Sequence, residues 1–314
     1  MTKKKIKSIL KRLWKYHSIY FLKPHDAIND TLTSSLLDDF DWSGEILEIG
    51  SGDGVYSYIM HDGSLPLSFD RYLDVDLQKK DIFEKHTKKL ITPKKKVNFP
   101  NIFLSIDAKV FHAEKIKEIN FSKDALVSRY EQLPIKSSVI QKIFYYTPHG
   151  LKDHDQALKE CLRILKDGGK LIILLYDSEV KNSFIFYRLS NLFAGALGSY
   201  FKKMDNDRFM EISNLSRTKN QWLDYFNQIG FSVENTAMGL SPLAWKFYDI
   251  QTRTILRSLV KIFSKVSGNT RKLMKMFWML IFYPYLVIFY ILFSNQVIRL
   301  TSKNCYIAFE LKKL

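Results

Sequence analysis

Short apolar runs alternate with amphipathic stretches along most of the chain. The runs at 46–49, 102–106 and 171–175 have the length of buried strands and adjoin stretches with helical spacing. An apolar stripe of this kind precedes the third run and consists of Ala157, Leu158, Cys161, Leu162 and Leu165. The pair Gly168-Gly169 then breaks the chain before the strand. This alternation predicts an α/β domain.

One later segment does not follow this alternation. The chain from Met276 to Phe293 is apolar throughout and is interrupted only by Pro284. Its length is barely enough to span the roughly 30 Å of hydrocarbon in a bilayer. Lys275 stands immediately before it, and Arg299 is the next charged residue after it. From the pattern alone, the segment could cross a membrane, lie on one, or fill a core.

Positive charge is concentrated in two parts of the chain. The formal net charge is +16 over 314 residues, but residues 1–25 hold eight Lys or Arg and no acid, and residues 245–303 hold ten against one acid. Residues 26–244 are therefore almost neutral. Because the positive charge belongs to no recognisable nucleic-acid module, we expect no nucleic-acid partner.

Residues 1–25 have the pattern of a basic amphipathic helix. One face carries apolar side chains, namely Ile6, Ile9, Leu10, Leu13 and Trp14. The other positions hold cations, namely Lys3, Lys4, Lys7, Lys11, Arg12 and Lys15. Such a helix suits an anionic membrane surface. The alternatives are a helix that packs on the domain with its basic face in solvent, and, less favoured, an RNA-binding tail.

Three glycines follow the first strand in the string GEILEIGSGDGVYSYIM. Glycine permits positive φ and close approach of a ligand to the backbone, as a tight turn from strand to helix requires. The spacing does not fit the dinucleotide fingerprint, which needs a third glycine three residues after the second. It resembles the first motif of class I S-adenosylmethionine-dependent methyltransferases. That resemblance implies cofactor contacts by Glu48, Gly50, Ser51, Gly52 and Gly54.

Further stretches resemble this family in the right order between about residues 44 and 177. The strand NIFLSID ends in Asp107, where the family's acid accepts both ribose hydroxyls of the cofactor. Leu133-Pro134 stands where the family often has these two residues before its fourth strand. Ahead of that pair, Arg129 and Tyr130 occupy the adenine-contacting region, although the family often has an acid and a small residue there. The implied cofactor is S-adenosyl-L-methionine.

The distance from the glycines to Asp107 is longer than the family needs. Residues from about 70 to 100 therefore look inserted, and they contain Asp74 and Asp76, which rival Asp107 for the ribose. We favour Asp107 because its distance to Leu133 suits one helix and one strand. The two cysteines have no metal-like spacing, and no other cluster of ligating side chains is visible, so the sequence predicts no metal site.

Methyl transfer from a sulfonium is largely a matter of positioning, and a hydroxyl acceptor gains from a general base. In this fold the loop after the fourth strand faces the methyl group, and here it reads YYTPHGLKDHD. His149 is the preferred base, with Tyr146, Asp153 and His154 as alternatives; a solvated histidine or a structural tyrosine is the competing interpretation. Tyr176 and Asp177, after the fifth strand, could line the same pocket. The Asn-Pro-Pro-Tyr signature of amino-methylating relatives is not found there, which favours an oxygen or carbon acceptor.

The resemblance predicts a Rossmann-like, seven-stranded, doubly wound sheet whose last strand is antiparallel. The domain would comprise 26–238 and 304–314, preceded by the helix in 1–25. FSVENTAM and NCYIAFELKK would be its sixth and seventh strands, with an apolar helical insertion, 239–303, between them. A single membrane crossing would leave the seventh strand on the wrong side. The remaining options are a re-entrant hairpin broken at Pro284, helices in the interface, or an apolar lid.

These features lead to three functional hypotheses. The first is a methyltransferase on the cytoplasmic face of the cell membrane, held there by 1–25 and 270–300. Its acceptor would be an amphiphile such as a lipid-linked glycan or an isoprenoid or quinone-like lipid. The second is a soluble methyltransferase for a sugar or small molecule, with the apolar insertion as a lid. The third is a catalytically silent, membrane-bound interaction protein.

Overall fold

The computed structural model describes residues 2–71, 101–146, 151, 153–254, 256–263, 265–266 and 268–314, with the backbone alone at 252–254, 256, 257 and 268. Asp74, Asp76 and His149 lie outside the described residues. So does most of the insertion predicted at about 70–100.

The core of the fold is one largely parallel sheet. Its strands are β1 Glu45–Ile49, β2 Asn101–Asp107, β3 Ala125–Val127, β4 Ile140–Tyr146, β5 Leu165–Asp177, β6 Ser216–Arg217, β7 Phe231–Gly239 and β8 Tyr306–Lys313. Seven of them follow the order β3-β2-β1-β4-β5-β8-β7. Strand β8 runs antiparallel to both β5 and β7. The predicted Rossmann-like sheet with an antiparallel last strand is confirmed. The two-residue strand β6, which pairs with β5, is an addition that the sequence did not predict.

Helices cover both faces of this sheet. They are α1 Lys3–Ile19, α2 Pro24–Leu36, α3 Val55–Met60, α4 Val110–Ile119, α5 His154–Ile164, α6 Ile185–Leu192, α7 Gly195–Asn214, α8 Lys219–Ile229, α9 Pro242–Thr254, α10 Leu256–Phe263 and α11 Gly268–Phe293. Helix α8 shows how local sequence sets the ends: Thr218 and Gln221 form a reciprocal capping box, and Gly230 ends the helix at φ 105°.

Two apolar clusters hold the layers together. On one face, Trp222 and Phe226 of α8 pack with Leu158 and Cys161 of α5 against the sheet, all fully buried. On the other face, α1, α2, α3 and α11 share a larger cluster. Full burial of each large apolar side chain contributes roughly 1.5–3 kcal/mol. The core therefore extends beyond the methyltransferase-like sheet into the N-terminal and C-terminal helices.

Helix α1 belongs to this second cluster. Ile9 and Leu13 are buried, and the Tyr283 hydroxyl of α11 donates to the backbone oxygen of Leu10 at 2.9 Å. The indole of Trp14 packs edge-on against Tyr283, with ring centroids 5.0 Å apart. The apolar face of residues 1–25 is thus used inside the protein, as the packed-helix alternative predicts. The interpretation that these apolar side chains face a membrane was therefore wrong, because α11 already covers them.

Helix α11 runs without interruption through Pro284. The hairpin predicted to break at this residue was therefore wrong. Pro284 lies on the exposed side of the helix, whereas Met279 and Leu286, one turn before it and just after it, are fully buried. Because both halves pack on the same protein surface, the lost backbone donor does not split the helix. Within the described residues, Asn269–Phe293 is the one helix long and apolar enough to cross a membrane.

The insertion leaves the sheet and returns to it at one point. The backbone N–H of Cys305 donates to the oxygen of Leu240 at 2.8 Å, at the end of β7 and the start of β8. The C-terminal end of α11 closes the same point, because Leu240 and Ser241 donate to the oxygens of Ser294 and Phe293 at 3.1 Å each. Both ends of α11's segment are thereby tied to the protein.

Candidate cofactor and acceptor site

The glycine loop connects β1 to α3 across the end of β2. Gly50, Gly52 and Gly54 all have positive φ, at 75°, 56° and 77°. The N–H of Gly50 donates to the Ile106 oxygen at 2.9 Å, which anchors the loop to β2. A Cβ added at Gly52 would meet nothing within 4 Å, so its backbone borders open space. An L side chain would fill that space and strain the turn, which is why the loop needs glycine.

Asp107 closes β2 directly beside this loop. One carboxylate oxygen accepts from the N–H of Gly52 at 2.9 Å, and the other contacts the Nδ1 of His112 at 2.9 Å and accepts from the N–H of Lys109 at 3.0 Å. Burial alone would raise the pKa of Asp107, but these hydrogen bonds outweigh it and hold the pKa below its ordinary value. Asp107 is therefore an ionised acceptor at the edge of the glycine loop.

Tyr130 and Arg129 differ in their placement. Tyr130 is buried, and its hydroxyl accepts from the N–H of Ala108 at 3.0 Å, just beyond Asp107. Arg129 is exposed and makes one distant contact, 4.0 Å to Glu131. The structure thus brings Tyr130, but not the Arg129 side chain, to the wall beside Asp107.

Glu48 lies beneath the loop rather than in it. It is fully buried, and its two oxygens accept from the hydroxyls of Ser57 in α3 and Ser105 in β2. Burial raises its pKa to about 7, against the effect of both serines. The hydroxyl of Ser51 is also used internally, donating to Ile106 at 3.2 Å. These two side chains hold the loop in place; the structure does not aim either of them at a ligand.

A cluster of five tyrosines lies at the carboxyl ends of the central strands, and we call it the tyrosine cluster: Tyr56, Tyr146, Tyr176, Tyr248 and Tyr306. Ring centroids of Tyr56 and Tyr146 are 4.5 Å apart, and those of Tyr176 and Tyr306 are 5.2 Å apart. Trp245 of α9 lies between two of these tyrosines, with its ring centroid 5.5 Å from that of Tyr306 and 5.3 Å from that of Tyr248. The cluster forms an aromatic wall at this edge of the sheet.

Asp30 faces this wall from α2, and sequence reasoning missed it. It is buried, and it accepts from the Tyr20 hydroxyl at 2.8 Å. Tyr20 in turn accepts from Arg71 at 2.6 Å, and Arg71 pairs with Asp53 of the glycine loop at 3.1 Å. Burial and then the charge of Asp26 raise the pKa of Asp30 to about 7, against the opposing effect of Arg71.

Burial raises the pKa of the Tyr146 phenol well above its ordinary value, and Asp30 lies close enough to raise it further. A carboxyl whose pKa lies near neutrality beside an acceptor wall has the properties of a general base. The string PHDAINDTLTSSL carries no local signal of this placement, because its polar composition is typical of a solvated helix.

The other predicted catalytic residues do not converge. Asp153 caps α5, accepting from the N–H of Gln156 at 2.9 Å. His154 is buried between Tyr145 and Trp222, and burial lowers its pKa to about 4. Asp177 caps the 3-10 turn 178–183 by accepting from Glu179 at 2.9 Å. Tyr146 and Tyr176 do lie together in the tyrosine cluster. Within the described ranges, no group of three or more His, Cys, Asp or Glu could hold a metal ion.

Comparison with known proteins agrees with this site. Residues 47–173 match the family model described as a methyltransferase domain. This range contains the glycine loop, Asp107 and Tyr130. The fold and the site define a class I S-adenosylmethionine-dependent methyltransferase. The chain is such an enzyme, and its cofactor is S-adenosyl-L-methionine.

Solved structures with similar folds are distant in sequence. An S-adenosylmethionine-dependent methyltransferase from Thermotoga maritima is 18% identical with a TM-score of 0.44, covering 73% of this chain and 87% of its own. A geranyl diphosphate C-methyltransferase from Streptomyces coelicolor is 10% identical with a TM-score of 0.44, covering 90% of this chain and 75% of its own. The [4+2]-cyclase SpnF is 14% identical with a TM-score of 0.46, covering 90% and 81%. No curated protein matches the chain.

Proposed function

We propose that this enzyme methylates an oxygen or carbon of an amphiphile on the cytoplasmic face of the cell membrane. The acceptor class is a lipid-linked glycan or an isoprenoid or quinone-like lipid. The single observation that carries the proposal is the outward face of α11, which is apolar along its length and is not covered by any residue that the structure describes.

The outward face of α11 follows helical spacing. Its exposed apolar side chains are Leu273, Phe277, Leu280, Ile281, Tyr285 and Ile288. Phe277 and Leu280 are 67% and 61% exposed, whereas Met279, between them in sequence, is fully buried. The helix therefore has one face in the core and the opposite face outside. Monomeric soluble proteins rarely expose a contiguous apolar patch of this kind, so the face suits an apolar environment.

Helix α9 extends this face. Leu243, Phe247 and Ile250 recur at helical spacing and are exposed. His25 connects the two helices, because its ring lies 6.0 Å from Phe247 of α9 and 5.8 Å from Tyr285 of α11. The two helices thus contribute to one surface, which we call the apolar face.

Cations stand at both ends of this face. Lys272 precedes it and is exposed, and Arg299 and Lys303 follow α11 and are exposed. Cations beside an apolar patch favour an anionic membrane surface. Lys275, which the sequence also placed among the flanking cations, was assigned wrongly. It is buried, pairs with Asp70 at 2.6 Å and donates to the oxygens of Leu67 and Phe69.

The cofactor supplies a methyl group already activated by a positive sulfur. The glycine loop and Asp107 would hold the cofactor, and the tyrosine cluster would exclude water from the acceptor side. Asp30 is positioned to accept the proton of an acceptor hydroxyl. Because its pKa is about 7, a substantial fraction of this carboxyl is ionised and able to act as a base at neutral pH.

Vesicle flotation tests the membrane part of the proposal. Wild-type protein should float with vesicles of phosphatidylglycerol and phosphatidylethanolamine. Leu280→Glu should weaken binding by about tenfold or more, since withdrawing a leucine from an apolar phase costs roughly 1.5–3 kcal/mol. Leu192→Glu is the matched control, because Leu192 is 77% exposed on α6, which is not one of the two helices that form the apolar face. Wild-type protein that stays with the soluble fraction would refute membrane binding.

Methyl transfer tests the acceptor. Wild-type enzyme with labelled S-adenosylmethionine should label the lipid extract of source cells and not their soluble metabolites. Label confined to soluble metabolites would instead support the soluble methyltransferase with an apolar lid. Failure of the protein to bind S-adenosylmethionine in calorimetry would contradict the enzyme assignment itself.

A further inference from the structure

Arg208 of α7 lies at the edge of the tyrosine cluster and carries a positive charge that the mechanism does not use. One guanidinium nitrogen donates to the Tyr248 hydroxyl at 2.7 Å. The guanidinium also lies over the ring of Tyr248 at 4.9 Å and that of Trp245 at 5.8 Å. The side chain is thus held in place by aromatic groups, with several N–H donors left over.

This arrangement is unusual among the half-buried arginines of the described chain. Four others each pair with a carboxylate: Arg12 with Asp38, Arg71 with Asp53, Arg163 with Glu160 and Arg217 with Asp155. A fifth, Arg271, donates to the backbone oxygen of Val266. Arg208 forms no such ion pair with any residue that the structure describes. Asp249 acts on it electrostatically from a greater distance, and its own carboxylate accepts from the N–H of Ile185 at 3.2 Å.

A second cation faces the same ring. The Nζ of Lys23 lies 4.4 Å from the centroid of Tyr248, and this lysine pairs with Asp26 at 2.6 Å. The charge of Lys23 is balanced by Asp26, so Arg208 is the cation at the Tyr248 end of the cluster that has no ion pair among the described residues. Burial raises the pKa of Tyr176 and Tyr306, which keeps their phenols protonated as donors, although Arg208 opposes this shift in both. An anion bound here would meet one guanidinium and neutral phenols, while the carboxylates of Asp249 and Glu211 act electrostatically on Arg208 and Tyr176 from nearby.

The position of Tyr248 in α9 links this end of the cluster to the apolar face. Tyr248 points to Arg208, whereas the neighbouring Phe247 is exposed on the apolar face. One amphiphile could therefore place its head at Arg208 and its chain along α9. The planar guanidinium fork matches the oxygens of a phosphate, and its positive charge attracts the group.

We propose that Arg208 binds the phosphate of a phosphorylated amphiphile, which is the acceptor of this methyltransferase. The inference rests on the proposed function and narrows its acceptor to lipids that carry a phosphate monoester or diester. Arg208 is then a binding residue that fixes the head group, while Asp30 lies at the opposite, Tyr146 end of the same cluster.

Calorimetric titration of the full-length protein tests this assignment with three probes: dodecyl phosphate, inorganic phosphate and the neutral detergent dodecyl maltoside. Wild-type protein should bind dodecyl phosphate more tightly than either of the others. Arg208→Gln should weaken dodecyl phosphate binding by about tenfold to a hundredfold, and Arg208→Lys by less, because a charged donor remains without the fork. Arg188→Gln, an exposed arginine on α6, is the matched control and should leave binding unchanged.

Three results would overturn the proposal. The first is equal binding of dodecyl phosphate and dodecyl maltoside, and the second is unchanged binding in Arg208→Gln. The third is equal binding of inorganic and dodecyl phosphate, which would make this a site for free phosphate. S-adenosylmethionine titrated into each variant shows that it is folded. Because these readouts involve neither vesicles nor methyl transfer, failure here is distinguishable from failure of the membrane proposal.

Discussion

Glu48→Gln tests the interpretation of Glu48 as a support of the glycine loop. The carboxyl is fully buried between the hydroxyls of Ser57 and Ser105, and its pKa is raised from 4.5 to about 7. Because the folded protein holds the proton more tightly than the unfolded chain, stability due to this group is fully present below pH 4.5. It is lost progressively as the pH rises through 7.

The size of the effect follows from the shift. A raised pKa of about 7 against 4.5 corresponds to about 3 kcal/mol at 1.36 kcal/mol per pKa unit. Glutamine keeps an acceptor and gains a donor for the two serines but cannot ionise. Relative to wild type, Glu48→Gln should therefore gain about 3 kcal/mol of stability between pH 4.5 and pH 8. Affinity for S-adenosylmethionine should change by no more than about threefold, since the side chain does not face the ligand.

Urea unfolding measured from pH 4.5 to 8.5 provides the test, with the free energy of unfolding taken at each pH. Glu45→Gln is the matched control, because Glu45 lies in the same strand and its side chain is 64% exposed. The control should follow the wild-type curve. Parallel curves for wild type and Glu48→Gln would refute the reasoning, and loss of cofactor binding in a stable Glu48→Gln protein would return Glu48 to direct ligand contact.

Three further predictions concern the loop, the base and a buried ion pair. In urea unfolding, Gly54→Ala should destabilise the protein more than Gly52→Ala. Both positions have positive φ, which costs an alanine about 1–2 kcal/mol. Only the Cβ added at position 54 also meets a neighbour, the ring of Phe121 at 2.7 Å. In wild type, the rate of methyl transfer should rise through about pH 7, where the Asp30 carboxyl ionises. Asp30→Asn should remove this rise, while binding of S-adenosylmethionine in calorimetry persists. An unchanged pH profile would exclude Asp30 as the base. Lys275→Met should cost about 3–5 kcal/mol by thermal or urea unfolding, since it removes the ammonium that pairs with the buried Asp70. Adding Asp70→Leu should restore part of that loss, because the oxygens of Leu67 and Phe69 still lack the donor that Lys275 supplied.

Much of the fold was predictable because its signals are local. Each of these signals lies within a few residues of sequence: the glycine spacing, the apolar runs and the acid that ends β2. The order of the strands in the sheet follows once these signals are assigned to one family. The approach of Asp107 to Gly52, at 2.9 Å, follows from neighbouring parallel strands ending at the same edge. The role of Asp153 as the N-cap of α5 could also be predicted from the sequence. The aspartate stands just before the apolar stripe of the helix, three residues ahead of Gln156, whose N–H donates to it.

The remaining features depend on contacts between distant segments. Every residue of α2 is buried, although its sequence is polar, because helices from both ends of the chain cover it. Asp30 acquires its raised pKa only through that cover. Lys275 looked like a flanking cation, but its partner Asp70 is remote in sequence. The uninterrupted path of α11 through Pro284 likewise reflects packing on the protein, which proline's local preference does not report.

The insertion between β7 and β8 has a consequence for how this enzyme could change its substrate. Its ends meet at the hydrogen bond between Leu240 and Cys305, 2.8 Å long, and the pairing of β7 with β8 sets the sheet register independently of what lies between. The pairing of these two strands therefore does not depend on the length of the segment, although its helices α9 and α11 also pack on α1 and α2. Under the proposed function, exchange of this segment between relatives would change acceptor preference and membrane attachment together, while the cofactor site stays as it is.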